Sequence, residues 1–210
     1  MQIDKSNNIS IEKDQKTALQ QAAELYYTGK IFIYPTDTIY GIGGDPFDKG
    51  VVKRISELKG RDDNKQFIWL LPNIETVYNY IQKSYETHFD FLTKLWPAPV
   101  TVILKLNSRI QEKINQENIA IRIPQNDFCL KLLNEISKPL ISTSVNKSGN
   151  EPLTDSDKII SEFSEKVDAV FLSSQKSPVI SSTIIDLTTK TPKLVREGSI
   201  KFVELLRNFS

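Results

Sequence analysis

Short apolar runs alternate with longer amphipathic segments along most of the chain, and this alternation limits the fold more than any other feature. The runs are IFIY (31–34), FIWLL (67–71), TVILKL (101–106), IAIRI (119–123), LIST (140–143), AVFLS (169–173), STIIDL (182–187) and KLVRE (193–197). All are short, and most are rich in β-branched or aromatic residues, which suits strands better than helices. The intervening segments carry apolar residues at helical spacing. Residues 11–28 place Leu19, Ala22, Ala23 and Tyr26 on one side, with Gly29 where a C-terminal cap belongs. Asp48 can cap a helix with Val51, Val52, Ile55 and Leu58 on its apolar face, stopped by Gly60. Residues 74–95 read as one or two helices ended by Pro97 and Pro99. Asn126 or Asp127 starts a helix bearing Phe128, Leu132, Leu133 and Ile136. Thr154 with Asp157 resembles a capping box before a helix to about Lys166, and 199–207 reads as a closing helix. Interleaving of this kind predicts an α/β fold with a mixed sheet, whose ligands bind beyond strand ends.

Composition narrows the function classes. The chain has 210 residues, enough for one large domain or two small ones, and its formal net charge is +1. No global field therefore draws it to nucleic acid or to a membrane, although a local basic cleft is compatible with that balance. The single Cys129 rules out an intramolecular disulfide and suits a reducing compartment. No apolar run reaches the ~18 residues of a membrane span. The polar start, MQIDKSNNIS, has no signal-peptide core. The expectation is a cytoplasmic protein.

The segment IFIYPTDTIYGIGG (31–44) poses the functional question. Pro35 ends a buried strand, and Thr36, Asp37, Thr38 and a run of glycines follow. Glycines there would let the backbone approach a small ligand, and the threonine hydroxyls would offer neutral hydrogen bonds. Other strand ends and loops carry similar chemistry: Lys59, Arg61 and Lys65 in LKGRDDNK, Arg122 inside IAIRI, Ser142, Ser144 and Asn146 in STSVNKSG, Ser182 at the start of STIIDL, and Arg196 in LVREG. Cations, hydroxyls and an amide without a matching carboxylate cluster point to an anion site. Each feature also has a plain structural reading: Lys59 and Arg61 suit a helix C-terminus, Arg122 an exposed sheet face or an ion pair, and the Ser/Asn loop a turn.

Familiar nucleotide motifs are absent. Gly29-Lys30 is followed by Ile31, and Pro46 stands where the third glycine of a dinucleotide fingerprint belongs. His88, the only histidine, leaves no room for a histidine-rich metal site and reads as a surface residue. Cys129, Trp69 and Trp96 read as core residues.

Taken in order, YPTDTIYGIG, LKGRDDNK, LWPAPVTVIL, IAIRIP, PLISTSVNKSG, SSTIIDL and LVREGSI resemble the YrdC-type L-threonylcarbamoyladenylate synthases, from about residue 18 to residue 200. The resemblance implies a short, single-domain form over 1–210: a twisted mixed sheet with flanking helices and a basic concave cavity. It implies formation of threonylcarbamoyl-AMP and pyrophosphate from ATP, L-threonine and bicarbonate or CO2, serving modification of tRNA adenosine 37. It also implies Mg²⁺ held mainly through ATP phosphates, downstream tRNA threonylcarbamoyl-transfer machinery as partner, weak tRNA binding, and no membrane. By motif, Lys59 and Arg61 match the K-x-R pair and Ser144 and Asn146 the S-x-N pair. Lys65, Ser142 and Arg196 fall with Arg61 and Ser144 at nucleotide contacts, and Thr38, Arg122 and Ser182 fall at threonine contacts. The chain departs from the usual pattern at Asp62, Ala98 and Val145. A non-catalytic RNA-binding module using the basic cavity is the alternative. Near-neutral charge and the lack of an aromatic-rich basic sheet motif count against it.

Overall fold

Phe32 and Tyr34 face one side of their strand and Ile33 the other, and all three are fully buried, so the sheet is covered on both faces at this strand. The computed structural model describes residues 7–60, 66–83, 86–175, 180–207 and 209. In chain order the elements are β1 (Asn8–Ser10), α1 (Gln15–Tyr27), β2 (Phe32–Tyr34), β3 (Gly41–Gly43), α2 (Lys49–Lys59), β4 (Ile68–Leu70), α3 (Ile74–Tyr78), α4 (Glu86–Leu95), β5 (Val100–Lys105), α5 (Ser108–Ile114), β6 (Asn118–Arg122), α6 (Asp127–Ile136), β7 (Leu140–Ser144), α7 (Ser156–Phe163), β8 (Ala169–Leu172), β9 (Thr183–Asp186), β10 (Lys193–Arg196) and α8 (Phe202–Arg207). The strands form one mixed sheet in the order β1-β8-β2-β3-β7-β4-β6-β5-β9-β10. The expected α/β architecture is therefore present.

Local chemistry sets the helix starts. Asp14, Asp48, Asn73, Asn107, Asn126 and Asp155 each accept a backbone N–H of the helix they precede. Such a cap stabilises by about 1 kcal/mol. Asp155, one residue after the expected Thr154, caps α7. Two elements go beyond the sequence reading: β1, which is polar and three residues long, and α5. The glycines of GIGG, expected to let the backbone approach a ligand, belong largely to the sheet. Gly41–Gly43 is a strand paired antiparallel with both β2 and β7. A Cβ on Gly43 would meet the Ile141 carbonyl oxygen and approach Tyr34 Cε1 to 2.7 Å; one on Gly44 would lie 2.6 Å from Val51 Cγ1. Both glycines are small because neighbouring layers press against them, not because a ligand does.

Period-2 alternation sorts the core into layers. On one face, α1 and α6 cover Phe32, Tyr34, Leu70, Leu140, Ala169 and Phe171. On the opposite face, α2 and α7 cover Ile33, Ile42, Ile141 and Val170. That second face continues under α3, α4, α5 and α8, which cover Trp69, Val102, Leu104, Ile121 and Ile185. The first face has no such continuation among the described helices. Registers align Ile68 with Ala120, Ala120 with Ile103, and Thr101 with Ile184. These side chains share the side that α1 and α6 leave open, and Ile68, Ala120, Ile103 and Ile184 form the floor of a cavity.

His88 corrects its sequence reading. It is 2% exposed, its Nε2 lies 3.1 Å from the Lys190 carbonyl oxygen, and its ring packs near Phe209. The helical pattern around it showed charges on both sides of a residue that in fact faces inward. Trp69, Trp96 and Cys129 are buried as expected.

Candidate functional site

The cavity has a volume of about 550 Å³ and spans the uncovered part of the sheet. That falls within the range of small-molecule sites, roughly 300–1,000 Å³. Strand order decides where its polar groups stand. β7 brings Ser142 and Ser144 to one side, β6 brings Arg122 to the middle, and the β9–β10 pair brings Ser182 and Arg196 to the far side. Thr38 enters from the loop after β2. Asn146 follows β7 and also lines the space. Seven of the ten sequence-predicted site residues thus line one cavity. Arg61 and Lys65 lie outside the described residues.

The tenth, Lys59, plays a different structural part. It ends α2, is 3% exposed, and reaches the β7 side from behind. Its ammonium donates to the Ser144 carbonyl oxygen at 2.6 Å, to Ser144 Oγ at 3.3 Å, and to Asn146 Oδ1. Ser144 Oγ also donates to Asn146 Oδ1 at 2.7 Å, and Asn146 Nδ2 donates to the Asn150 carbonyl oxygen at 2.5 Å. The loop is stapled to the helix end by a 2.8 Å bond from Ser148 N–H to the Lys59 carbonyl. Lys59 therefore orders the Ser144–Asn146 pair from a buried position and does not itself line the cavity. Val145 between them is fully buried among Ile141, Ile159 and Phe163, as extended geometry requires, and Lys147 is exposed.

Arg122 is 3% exposed and lies with its guanidinium between the β2 loop and the cavity. Nη1 donates to Thr38 Oγ1 at 2.9 Å, and Nη2 stands 3.6 Å from Asp37 Oδ1. Asp37 Oδ2 accepts the Gln125 backbone N–H at 3.1 Å. Thr36 is turned inward: its hydroxyl donates to the Ile39 carbonyl at 2.7 Å and accepts the Thr38 backbone N–H at 3.0 Å. It shapes the turn that presents Thr38, and the reading of Thr36 as a ligand hydroxyl is corrected. Cys129 lies beneath, its thiol 3.1 Å from the Pro35 carbonyl oxygen; burial and then the Asp37 charge push it far above the ordinary thiol range.

On the far side, Arg196 Nη2 donates to the Ser182 carbonyl at 2.8 Å, and Ser182 Oγ shares a 2.9 Å hydrogen bond with Thr101 Oγ1. Partial desolvation and then the Arg122 charge move the Arg196 guanidinium down from its ordinary range. Thr183 Oγ1 accepts the Gly198 and Ile200 backbone N–H groups at 3.0 and 3.2 Å, strapping the turn that follows β10. Among the described residues no carboxylate lines the cavity. Sequence reasoning missed the Asp37–Arg122 pair, although a buried arginine demands a counter-charge and Asp37 sits in the quoted segment. It also missed Thr101 behind Ser182, and Asn150 and Pro152, for which only loop folding supplies the signal.

Fold and site together define an α/β protein with a cavity lined by two arginines, hydroxyls and an amide on the less covered face of a mixed sheet. The chain belongs to the Sua5/YciO/YrdC family, whose model, described as telomere recombination, matches residues 24–198. It is 28% identical over 197 residues to threonylcarbamoyl-AMP synthase of Pyrococcus abyssi, covering 92% of this chain and 58% of that protein. The structure of P. abyssi Sua5 complexed with L-threonine superimposes with a TM-score of 0.85 at 27% identity, over 96% of this chain and 59% of that one. E. coli YciO superimposes with a TM-score of 0.83 at 26% identity, over 97% of this chain and 98% of its own. The chain thus spans about three fifths of the archaeal relative's length and matches YciO end to end.

Proposed function

We propose that the chain is an L-threonylcarbamoyladenylate synthase, a nucleotidyltransferase that makes threonylcarbamoyl-AMP and pyrophosphate from ATP, L-threonine and bicarbonate or CO2. One observation carries the reading: a single cavity holds, on one side, the Ser144–Asn146 pair ordered by Lys59 and, across its floor, Arg122 with Thr38 and Arg196 with Ser182. The activity named for the P. abyssi relative and the L-threonine held by its Sua5 structure support it.

The chemistry has two steps. The threonine amino group adds to CO2 and loses a proton, giving a carbamate. A carbamate oxygen then attacks the α-phosphorus of ATP and pyrophosphate leaves. Positioning and charge stabilisation suffice for such a transfer. Arg122 would take the threonine carboxylate through its planar fork, with Thr38 and Ser182 on the remaining polar groups. Ser142, Ser144, Asn146 and Arg196, with Arg61 and Lys65, would hold the nucleotide.

Guanidinium and hydroxyl groups fit phosphate oxygens. No group of three or more His, Cys, Asp or Glu side chains is placed to hold a metal among the described residues. The donor set thus fits Mg²⁺ carried on the nucleotide and held by phosphate oxygens and water; bound there it would neutralise phosphate charge. The product's use in threonylcarbamoyl modification of tRNA adenosine 37, and transient tRNA contact, belong to the same proposal. Among the described residues no helix is long and apolar enough to cross a membrane; a cytoplasmic location belongs to the same proposal. Pyrophosphate release from ATP, followed with and without threonine and bicarbonate, tests the reading. Release that needs both supports it; salt-sensitive RNA binding with no release would favour the RNA-binding alternative.

A further inference from the structure

The Asp37–Arg122 pair has a feature that fold stability does not require. Their side chains are 6% and 4% exposed, yet Asp37 Oδ1 and Arg122 Nε have no hydrogen-bond partner among the described residues. A pair kept for stability alone would satisfy both atoms, because an unmade bond in the interior is costly. Here the carboxylate is anchored by the Gln125 N–H and stands at 3.6 Å, close enough to compensate the guanidinium but not to occupy its fork. Arg122 lines the cavity while Asp37 stands behind it. Across the floor, Arg196 is hydrogen-bonded only to neutral Ser182, and no carboxylate compensates it among the described cavity residues.

We infer that Asp37 is a positioning and selectivity residue: it cancels most of the Arg122 charge, so the Arg122 subsite accepts the carboxylate of a zwitterionic amino acid and rejects phosphate. This role rests on threonine and ATP being the substrates, and its basis is electrostatic. A negative charge a few ångströms behind the subsite repels a phosphate dianion strongly. A zwitterion carries both signs within a few ångströms and feels much less. Two anionic substrate groups enter one cavity, and an uncompensated Arg122 would attract polyphosphate as readily as Arg196 does. With Asp37 in place, the triphosphate is steered to the Arg196 and Ser144 sides, and Arg122 still offers directional donors.

Titration calorimetry with L-threonine and, separately, with inorganic phosphate tests this on the whole chain and on Asp37→Asn, which keeps shape but not charge. The expected result is a shift in the threonine-to-phosphate affinity ratio of at least about fivefold towards phosphate. Asp37→Glu, which keeps the charge, should stay near the parent ratio. If Asp37→Asn does not fold, Asp37→Ser reads the same ratio. A purely structural pair would lower melting temperature and leave the ratio unchanged, and that result overturns the inference. Parent protein that binds threonine with the Asp37 effect present, yet releases no pyrophosphate, would sink the synthase reading and leave Asp37's role standing. Parent protein that does not bind threonine would remove both.

Discussion

A guanidinium with almost no exposed surface must find its counter-charge within the protein, and Arg122 finds it in Asp37, two residues beyond the proline that ends β2. The same segment places Thr38 against Nη1, so the loop after β2 orients the arginine twice. Arg122→Lys keeps the charge but loses the fork and the Thr38 bond. Threonine KM should rise about tenfold while ATP KM changes by less than about twofold, as for loss of one charge-assisted bond. Steady-state kinetics checks this; equal change in both constants would contradict the assignment. Lys59 gives a different expectation. Its removal leaves Ser144 O, Ser144 Oγ and Asn146 Oδ1 short of a donor in a buried place. Lys59→Ala should therefore lose both turnover and roughly 2–3 kcal/mol of stability. A fully stable, inactive variant by denaturant titration would show that Lys59 acts only on substrate.

At the scale of elements, the ends of β7 and β10 set the two sides of the cavity. Val145 packs inward where its neighbours face the cavity, so Val145→Ala should leave activity nearly intact while losing about 1–2 kcal/mol. After β10, a Cβ on Gly198 would meet the Ser181 carbonyl oxygen and approach the Ser182 carbonyl carbon and oxygen to 2.5 and 2.6 Å. Gly198→Ala must displace the segment that fixes Ser182 and, through it, Arg196. Turnover should fall by about an order of magnitude, against little loss of secondary structure by circular dichroism. Unchanged kinetics would show that this turn does not position the site.

Sequence legibility also divides at this scale. The strands buried on both faces were readable as continuous apolar runs, and α2 and α6 by capping residue and periodic apolar face. β1 escaped because Asn8-Ile9-Ser10 is an edge strand with no apolar run, held by parallel pairing to β8. Gly41–Gly43 gave no strand signal because glycine disfavours strands in general; here Gly43 is required where the Ile141 carbonyl and Tyr34 crowd it. The cavity-lining polar residues showed through as hydroxyls and cations at strand ends. Their internal bonds did not, since Lys59 to Asn146 and Asp37 to Arg122 join segments far apart in sequence.

The whole molecule is an asymmetrically covered sheet. One face is helix-packed from α2 and α7 through to α8, while the other is covered by α1 and α6 as far as Leu70 of β4 and, among the described residues, left open beyond it over β6, β5 and β9. The proposed substrates would sit in that gap, against the polar strand ends that line it. The substrates' charge can be tested by salt. ATP is a polyanion and threonine a zwitterion, so raising ionic strength from about 0.05 to 0.5 M should increase ATP KM several-fold and threonine KM far less. Equal sensitivity would contradict separate subsites.

The proposed synthase activity is tested by following the carbon. Purified chain incubated with ATP, L-threonine, Mg²⁺ and ¹³C-bicarbonate should yield an AMP-linked product whose mass includes threonine and one labelled carbonyl carbon, with one pyrophosphate released per product. Pyrophosphate or AMP formed without that labelled adduct, or no turnover at all by folded protein, would contradict the account.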